Sequence, residues 1–323
     1  MAAATQSLRT RTVTEDAVGI AFGLLALGAV ALHAFHLDES PALQTFMLVM
    51  VSIVVEALPF ILVGALVSAA LAVFVSERGF ARVARLPLAV QLPCAALGSF
   101  AFPVCDCGTV PVARRLLARG VRPQAALTFM LAAPVVNPLV LASTFVAYGG
   151  GRRGLEIAGA RSGIALVAAI AIGVLVGGTV SLRGSGGASH DHADTFAGHL
   201  TGDFLSMGRF IVLGAALAAL LQTVVPQSAL ARVAGTPVVA ELALVAVAFA
   251  LSLCSQANAF VAASLGAFGL GPQLAFLVYG PLADAKLTVL YSGTFRRLFA
   301  LRVIAVAAPV AVVGSMLAAR VIG

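Results

Sequence analysis

The sequence has no tryptophan, three tyrosines, and charged side chains at only 10% of its 323 positions. Soluble domains carry about a quarter charged residues, so a water-exposed surface cannot be built from this chain. Its four cysteines (Cys94, Cys105, Cys107 and Cys254) lie within or beside apolar runs. That placement does not suit the disulfide framework of a short secreted protein, where cysteines fall in loops. No P-loop, nucleotide fingerprint or His-Glu-x-x-His motif occurs, so nothing implies direct ATP coupling, a cofactor or an enzyme. The net charge of +7 does not make a nucleic-acid stripe, because the basic residues are scattered between apolar segments.

What is present is hydrophobicity: 61% of the residues are apolar. A chain of this length cannot hide so much apolar side chain from water, and lipid must be its solvent. Membrane helices need about 20 apolar residues. Uncharged or nearly uncharged runs occur at Ala17–Leu32, Ser40–Ser76, Leu86–Cys105, Pro123–Gly151, Ser162–Leu182, Phe210–Ala231, Leu242–Ala283 and Val303–Ala319. The first, preceded by Arg9 and Arg11, reads as a retained helix, since no small-residue cleavage site follows it.

The chain also repeats itself. Phe60-Ile-Leu-Val-Gly64-Ala65 matches Phe210-Ile-Val-Leu-Gly214-Ala215, Cys105 falls on Cys254, and Gly120 falls on Gly269. Pro134-Val-Val-Asn137 likewise falls on Pro281-Leu-Ala-Asp284. Matches in one order along the chain indicate duplication, a common origin of transporter folds. We therefore expect an all-α polytopic membrane protein with about 10–11 transmembrane segments, arranged as two inverted five-segment repeats with broken helices. The expected divisions are an N-terminal segment with the first helix (1–40), a first repeat (41–182), a His/Gly-rich linker (183–202) and a second repeat (203–323).

Five crossings per repeat would run near 47–74, 87–103, 105–119, 122–148 and 157–180, with partners near 203–224, 237–254, 255–268, 272–295 and 301–321. With a cytoplasmic N-terminus, fourteen Lys/Arg fall inside, five (at 152, 153, 161, 232 and 320) fall outside, and Lys286 lies within the membrane. A re-entrant hairpin at 105–133 is the rival path. It would bury Arg114, Arg115, Arg119 and Arg122 at mid-membrane, at about 2.5–3.5 kcal/mol each, so crossing is the expectation.

Four features carry candidate chemistry. Phe102-Pro-Val-Cys105-Asp106-Cys107-Gly108-Thr-Val-Pro111 should interrupt a helix at membrane depth, which survives only when buried in protein or lining a cavity. Two thiols and a carboxylate suit a soft metal, a metalloid or a thiol-bearing solute, although buried cysteine often simply packs as a small hydrophobe. The paired breaks at Pro134–Pro138 and Pro281–Lys286 place Asn137, Asp284 and Lys286 at corresponding points of the two halves, where transporter sites are found. A structural ion pair would explain Asp284 and Lys286 equally simply. Glu56, alone in its apolar run and three residues before Pro59, is a candidate coupling carboxylate or a partner for donors freed at the kink. In the linker, His190, His192 and His199 with two aspartates could bind a divalent metal, against the plainer reading of a flexible connector.

These motifs resemble the bacterial predicted-permease family that includes the YraQ-type proteins and the organoarsenical efflux permeases. The resemblance rests on Pro103-Val-Cys105-Asp106-Cys107-Gly108-Thr-Val-Pro111, on Ala126-Leu-Thr-Phe129-Met-Leu-Ala-Ala-Pro134-Val-Val-Asn137-Pro138, and on Gly280-Pro281-Leu-Ala-Asp284-Ala-Lys286. It implies a multi-pass permease of the cytoplasmic membrane, with trivalent organoarsenicals as substrates in one branch. The partners expected are lipid and a small solute, metal or metalloid, without nucleic acid, and a homo-oligomer is compatible with this design. A membrane thiol oxidoreductase using Cys105 and Cys107, and a channel or subunit of a larger assembly, are the competing functions.

Overall fold

The computed structural model describes residues 41–74, 85–101, 105–180, 196–224, 237–295 and 298–322. Residues 1–48 and 49–323 form separate compact units, and the architecture below is that of the second. The first half contains α1 (Pro41–Phe74), α2 (Leu88–Gly98), α3 (Asp106–Ala118), α4 (Pro123–Val136), α5 (Pro138–Ala147) and α6 (Gly151–Gly177). The second contains α7 (Phe196–Val224), α8 (Pro237–Leu251), α9 (Ala257–Ser264), α10 (Leu270–Tyr279), α11 (Ala285–Thr294) and α12 (Leu298–Ile322). The retained helix expected at 17–32 lies outside the described residues, as does 183–195 of the linker. The remaining linker residues are helical, since α7 begins at Phe196.

The breaks follow local chemistry. Proline opens α4 and α5 at the first helical position, where its missing N–H is not needed. Asn137 caps α5 by accepting a hydrogen bond from the Leu139 amide at 2.9 Å, and Asp284 caps α11 by accepting from the Leu287 amide at 2.5 Å. Between α5 and α6 the chain turns through Gly149, Gly150 and Gly151, all with φ between 63° and 79°, a region that side chains disfavour.

Buried α4 forms the centre of the first half, covered from Ala125 through Val135; α10 does the same for the second from Gly271 through Tyr279. Helix α6 packs along α4 through glycines. A Cβ on Gly173 would lie 2.2 Å from Thr128 Oγ1, and one on Gly177 would lie 2.7 Å from the Gln124 Cα. Such close approach between small residues is how helices associate without a hydrophobic drive in lipid. Outward faces carry exposed Val55, Leu62, Leu97, Leu139, Val167, Leu213 and Leu317, as a lipid-facing surface requires. Five described helical stretches are long and apolar enough to cross a membrane: Pro41–Leu71, Pro123–Ala147, Gly151–Gly177, Leu200–Thr223 and Leu298–Ile322. The protein is polytopic.

Among the described residues the ten expected segments are largely helical, and four of them pair as two hairpins. Leu71, Ala95 of α2 and Leu116 of α3 pack together about Val121 and Ala125, at the start of α4. The chain thus leaves that level on α2, turns at Cys105, and returns to it on α3. A second hairpin stands at the other end of α4–α5. There Tyr148 donates to Gln273 Oε1, Gln273 donates to the Leu265 and Phe268 carbonyls below α9, and Glu241 of α8 lies against Gly271. The 13 residues of α3 and the 8 of α9 rise only about 20 and 12 Å, short of a hydrocarbon core about 30 Å thick. The segments expected at 87–103 and 105–119, and at 237–254 and 255–268, thus pair as two helical hairpins with short arms. The hairpin puts Asp106 at its tip and the arginines at its far end, where Arg115 pairs with Asp203 at 3.1 Å.

Candidate functional site

The tips of the two hairpins touch. Ser255, in the second tip, donates its hydroxyl to Asp106 Oδ1 in the first at 2.7 Å. Asp106 occupies the first position of α3, where the positive end of the helix favours a carboxylate. Its other oxygen, Oδ2, faces Lys286 Nζ at 3.6 Å. Lys286 stands in the first turn of α11 and also faces Asp284 Oδ2, at 3.7 Å. Adjacent-turn geometry would keep residues two apart from facing each other on a regular helix. The contact exists because Asp284 is outside the helix, with φ −135° and ψ 175°.

Lys286 is thus one cation between two carboxylates contributed by different halves. All three groups are nearly solvent-free, at 4, 2 and 0% exposure for Lys286, Asp106 and Asp284. Neither Oδ2 has a hydrogen-bond partner. In such surroundings charges persist only when paired. Two glycines let long helices back directly onto these half-helix starts. A Cβ on Gly64 of α1 would meet the Gly108 carbonyl at 2.4 Å, and one on Gly214 of α7 would meet that of Lys286 at 2.9 Å.

The second tip, residues 252–256, exposes backbone that a helix would have satisfied. Three donors from three helices take its carbonyls: Gln222 of α7 bonds Leu251 at 2.6 Å, Lys286 reaches Ser252 at 3.5 Å, and Arg161 of α6 bonds Ser255 at 2.8 Å. Buried carbonyls must be paired, and here side chains do it. Ser252 holds a left-handed φ of 49°, unusual for a residue other than glycine.

Among the cysteines, Cys107 and Cys254 are buried, Cys105 is half-buried and Cys94 exposed, and all are free. Cys105 and Cys107 flank Asp106 at the start of α3. Cys254 accepts from the Ala257 amide at 3.4 Å, and Glu56 stands exposed on α1. The tips therefore gather Cys105, Asp106, Cys107, Cys254, Asp284 and Lys286. Buried Asn137 keeps its side-chain oxygen on the first turn of α5. No group of three metal-ligating side chains forms among the described residues. His190 and His192 lie outside the described residues, and so does the His199 side chain.

Sequence reasoning missed Arg161, Ser252, Ser255 and Gln222. Arg161 was expected at an outer flank, because the uncharged run begins at Ser162. Instead it is fully buried, ten residues into α6. The three glycines at 149–151 were the available signal, since a helix starting there carries Arg161 inward.

Residues 42–320 match a family of predicted permeases. The chain belongs to that family. It is similar to the UPF0718 protein YcgR of Bacillus subtilis (strain 168), with 35% identity over 83% of this chain and 95% of the relative. It is also similar to a putative two-component membrane permease complex subunit of Streptococcus mutans serotype c, with 34% identity over 79% of this chain and 88% of that one. No solved structure matches it. This permease is thus a multi-pass membrane transporter and not an enzyme, which removes the thiol-oxidoreductase reading.

Proposed function

We propose that the permease is a secondary transporter whose site lies where the hairpin tips meet. The observation that carries this is the Asp106–Lys286–Asp284 triad: three buried charges, from both halves, on helix starts broken at mid-depth. Intramembrane charges of this kind mark transport pathways, and broken helices in corresponding positions mark their sites. Supporting inverted halves are the equivalent caps Asn137 and Asp284. Alternating access would rock one half against the other.

In this reading the cargo is a small solute of soft character, a metal or a metalloid such as a trivalent organoarsenical. Cys105, Cys107 and Cys254 contact it, Asp106, Asn137, Asp284 and Lys286 shape its site, and Glu56 couples its movement. The N-terminus and linker face the cytoplasm, with His190, His192 and His199 offering metal a transient stop. A survival screen of a deletion strain on metals and metalloids, with accumulation measured in the same cells, tests the cargo. Cys105→Ser and Cys254→Ser should each impair transport at near-normal membrane expression; normal transport by both removes the soft-ligand reading. Labelling of introduced linker cysteines by an impermeant reagent in intact cells would overturn the orientation.

The Streptococcus relative's description as a complex subunit favours a second reading, in which this permease works with another chain. Native electrophoresis of solubilised membranes would show a complex larger than its homo-oligomer.

A further inference from the structure

Five charged side chains are buried among the described residues: Asp106, Arg161, Glu241, Asp284 and Lys286. Asp106 and Asp284 are matched to Lys286. Glu241 lies apart, at the outer end of α8 against Gly271. Arg161 is the cation of this set with no carboxylate in direct contact, Asp106 being reached only through Ser255. Its Nη1 donates to Thr144 Oγ1 at 2.7 Å and its Nη2 to the Ser255 carbonyl at 2.8 Å, both neutral oxygens. A guanidinium has five N–H donors; these bonds use two, and Nε has no partner at all.

Burying a guanidinium without a counter-charge is expensive, and structures tolerate it where the charge has work to do. Structural support of the tip does not require it, since a neutral donor holds the neighbouring Leu251 carbonyl: that of Gln222. What distinguishes arginine is permanent charge and a planar fork that fits two oxygens of one anion. Depth limits the source of such an anion. Ten residues into α6, Arg161 lies about 15 Å along the helix from Gly151, beyond reach of a lipid headgroup at the surface. Lys286 cannot serve instead, because two carboxylates already face it.

We infer that Arg161 is an oxyanion-binding residue of the transport site, recognising a carboxylate, phosphate or sulfate-like group on the cargo through Nε and a free Nη hydrogen. This rests on the hairpin tips being the transport site, and it narrows the cargo to solutes bearing an anionic oxygen group. Because Ser255 joins Arg161 to Asp106, an anion at Arg161 would also bear on how the two tips are held.

The test is binding, which does not depend on transport. Full-length permease in detergent is titrated with sodium acetate, phosphate and sulfate against chloride at matched ionic strength, and its melting temperature is followed. At least one oxyanion should raise it saturably. Arg161→Lys, which keeps the charge and loses the fork, should weaken the apparent affinity about tenfold. Arg161→Gln should abolish the saturable rise, and Thr144→Val should retain it. Where Arg161→Gln does not fold, Arg161→Lys and Thr144→Val decide. No saturable rise in the wild type, or an unchanged midpoint in Arg161→Lys, overturns the inference. Saturable binding without transport of any oxyanion-bearing solute would leave the subsite standing and remove the permease-site reading instead.

Discussion

The two hairpin tips meet but are built from different materials. The first, Cys105-Asp106-Cys107, brings thiols and a carboxylate, and helix α3 starts directly at the charge. The second, Ser252 to Gln256, brings one thiol, Cys254, but chiefly backbone carbonyls and hydroxyls, and donors from α6, α7 and α11 satisfy the carbonyls here and at Leu251. One tip presents reactive and charged groups. The other is a surface that recognises donors, strained at Ser252 and clamped from outside. Their single shared hydrogen bond, Ser255 to Asp106, makes the position of each depend on the other.

Removing the cation that faces both carboxylates should produce the largest effect. Lys286→Met leaves Asp106 and Asp284 buried without a counter-charge, and breaking a buried pair in this way costs about 3–5 kcal/mol. Little folded protein should survive solubilisation, read by fluorescence-detected size exclusion. Asp284→Asn should be milder, because Lys286 keeps Asp106. For the same reason Asp284→Asn with Lys286→Met should not restore folding, whereas adding Asp106→Asn should. Full recovery in the double variant would show that Asp106 is not a third member.

The halves also differ in how tightly a long helix backs onto each half-helix start. A methyl on Gly64 would stand 2.4 Å from the Gly108 carbonyl, against 2.9 Å for Gly214 and Lys286. Overpacking of this kind typically costs about 1–3 kcal/mol. Gly64→Ala should therefore lower the melting temperature more than Gly214→Ala. The reverse order would mean that α1 can shift away from α3 more freely than α7 from α11.

Some of this was legible in residues alone. Apolar content required lipid, and the breaks at Asn137 and Asp284 followed from prolines and from cap-forming side chains. The pairing of Asp284 with Lys286 followed from two charges near a helix-breaking proline. What could not be read was which distant segment meets which. Asp106 joins Lys286 across 180 positions of sequence through hairpin geometry, and no local pattern carries that. Arg161 was hidden because a helix boundary a few residues away changes its reading from flank to core.

The smallest expected effect isolates the strain that separates the second tip from the first. Ser252 has φ 49°, and among the described residues it is the non-glycine with positive φ. For an L-residue that region costs about 1–2 kcal/mol, which glycine avoids. Against that gain, Ser252→Gly loses a long contact, since the Lys286 amide meets Ser252 Oγ at 3.4 Å, and it adds backbone freedom to the unfolded chain. The carbonyl of residue 252 remains available to Lys286 Nζ in either case. The balance favours a slightly more stable protein, by up to about 1 kcal/mol, or a few degrees in melting temperature for a chain of this size. The equivalent exchange at the first tip, Cys105→Gly, has no such strain to release, as φ there is −76°, and should destabilise. If Ser252→Gly also lowers the melting temperature, the hydroxyl is holding α11 to the tip more firmly than its length suggests. The left-handed turn would then be secured by that contact and not merely tolerated.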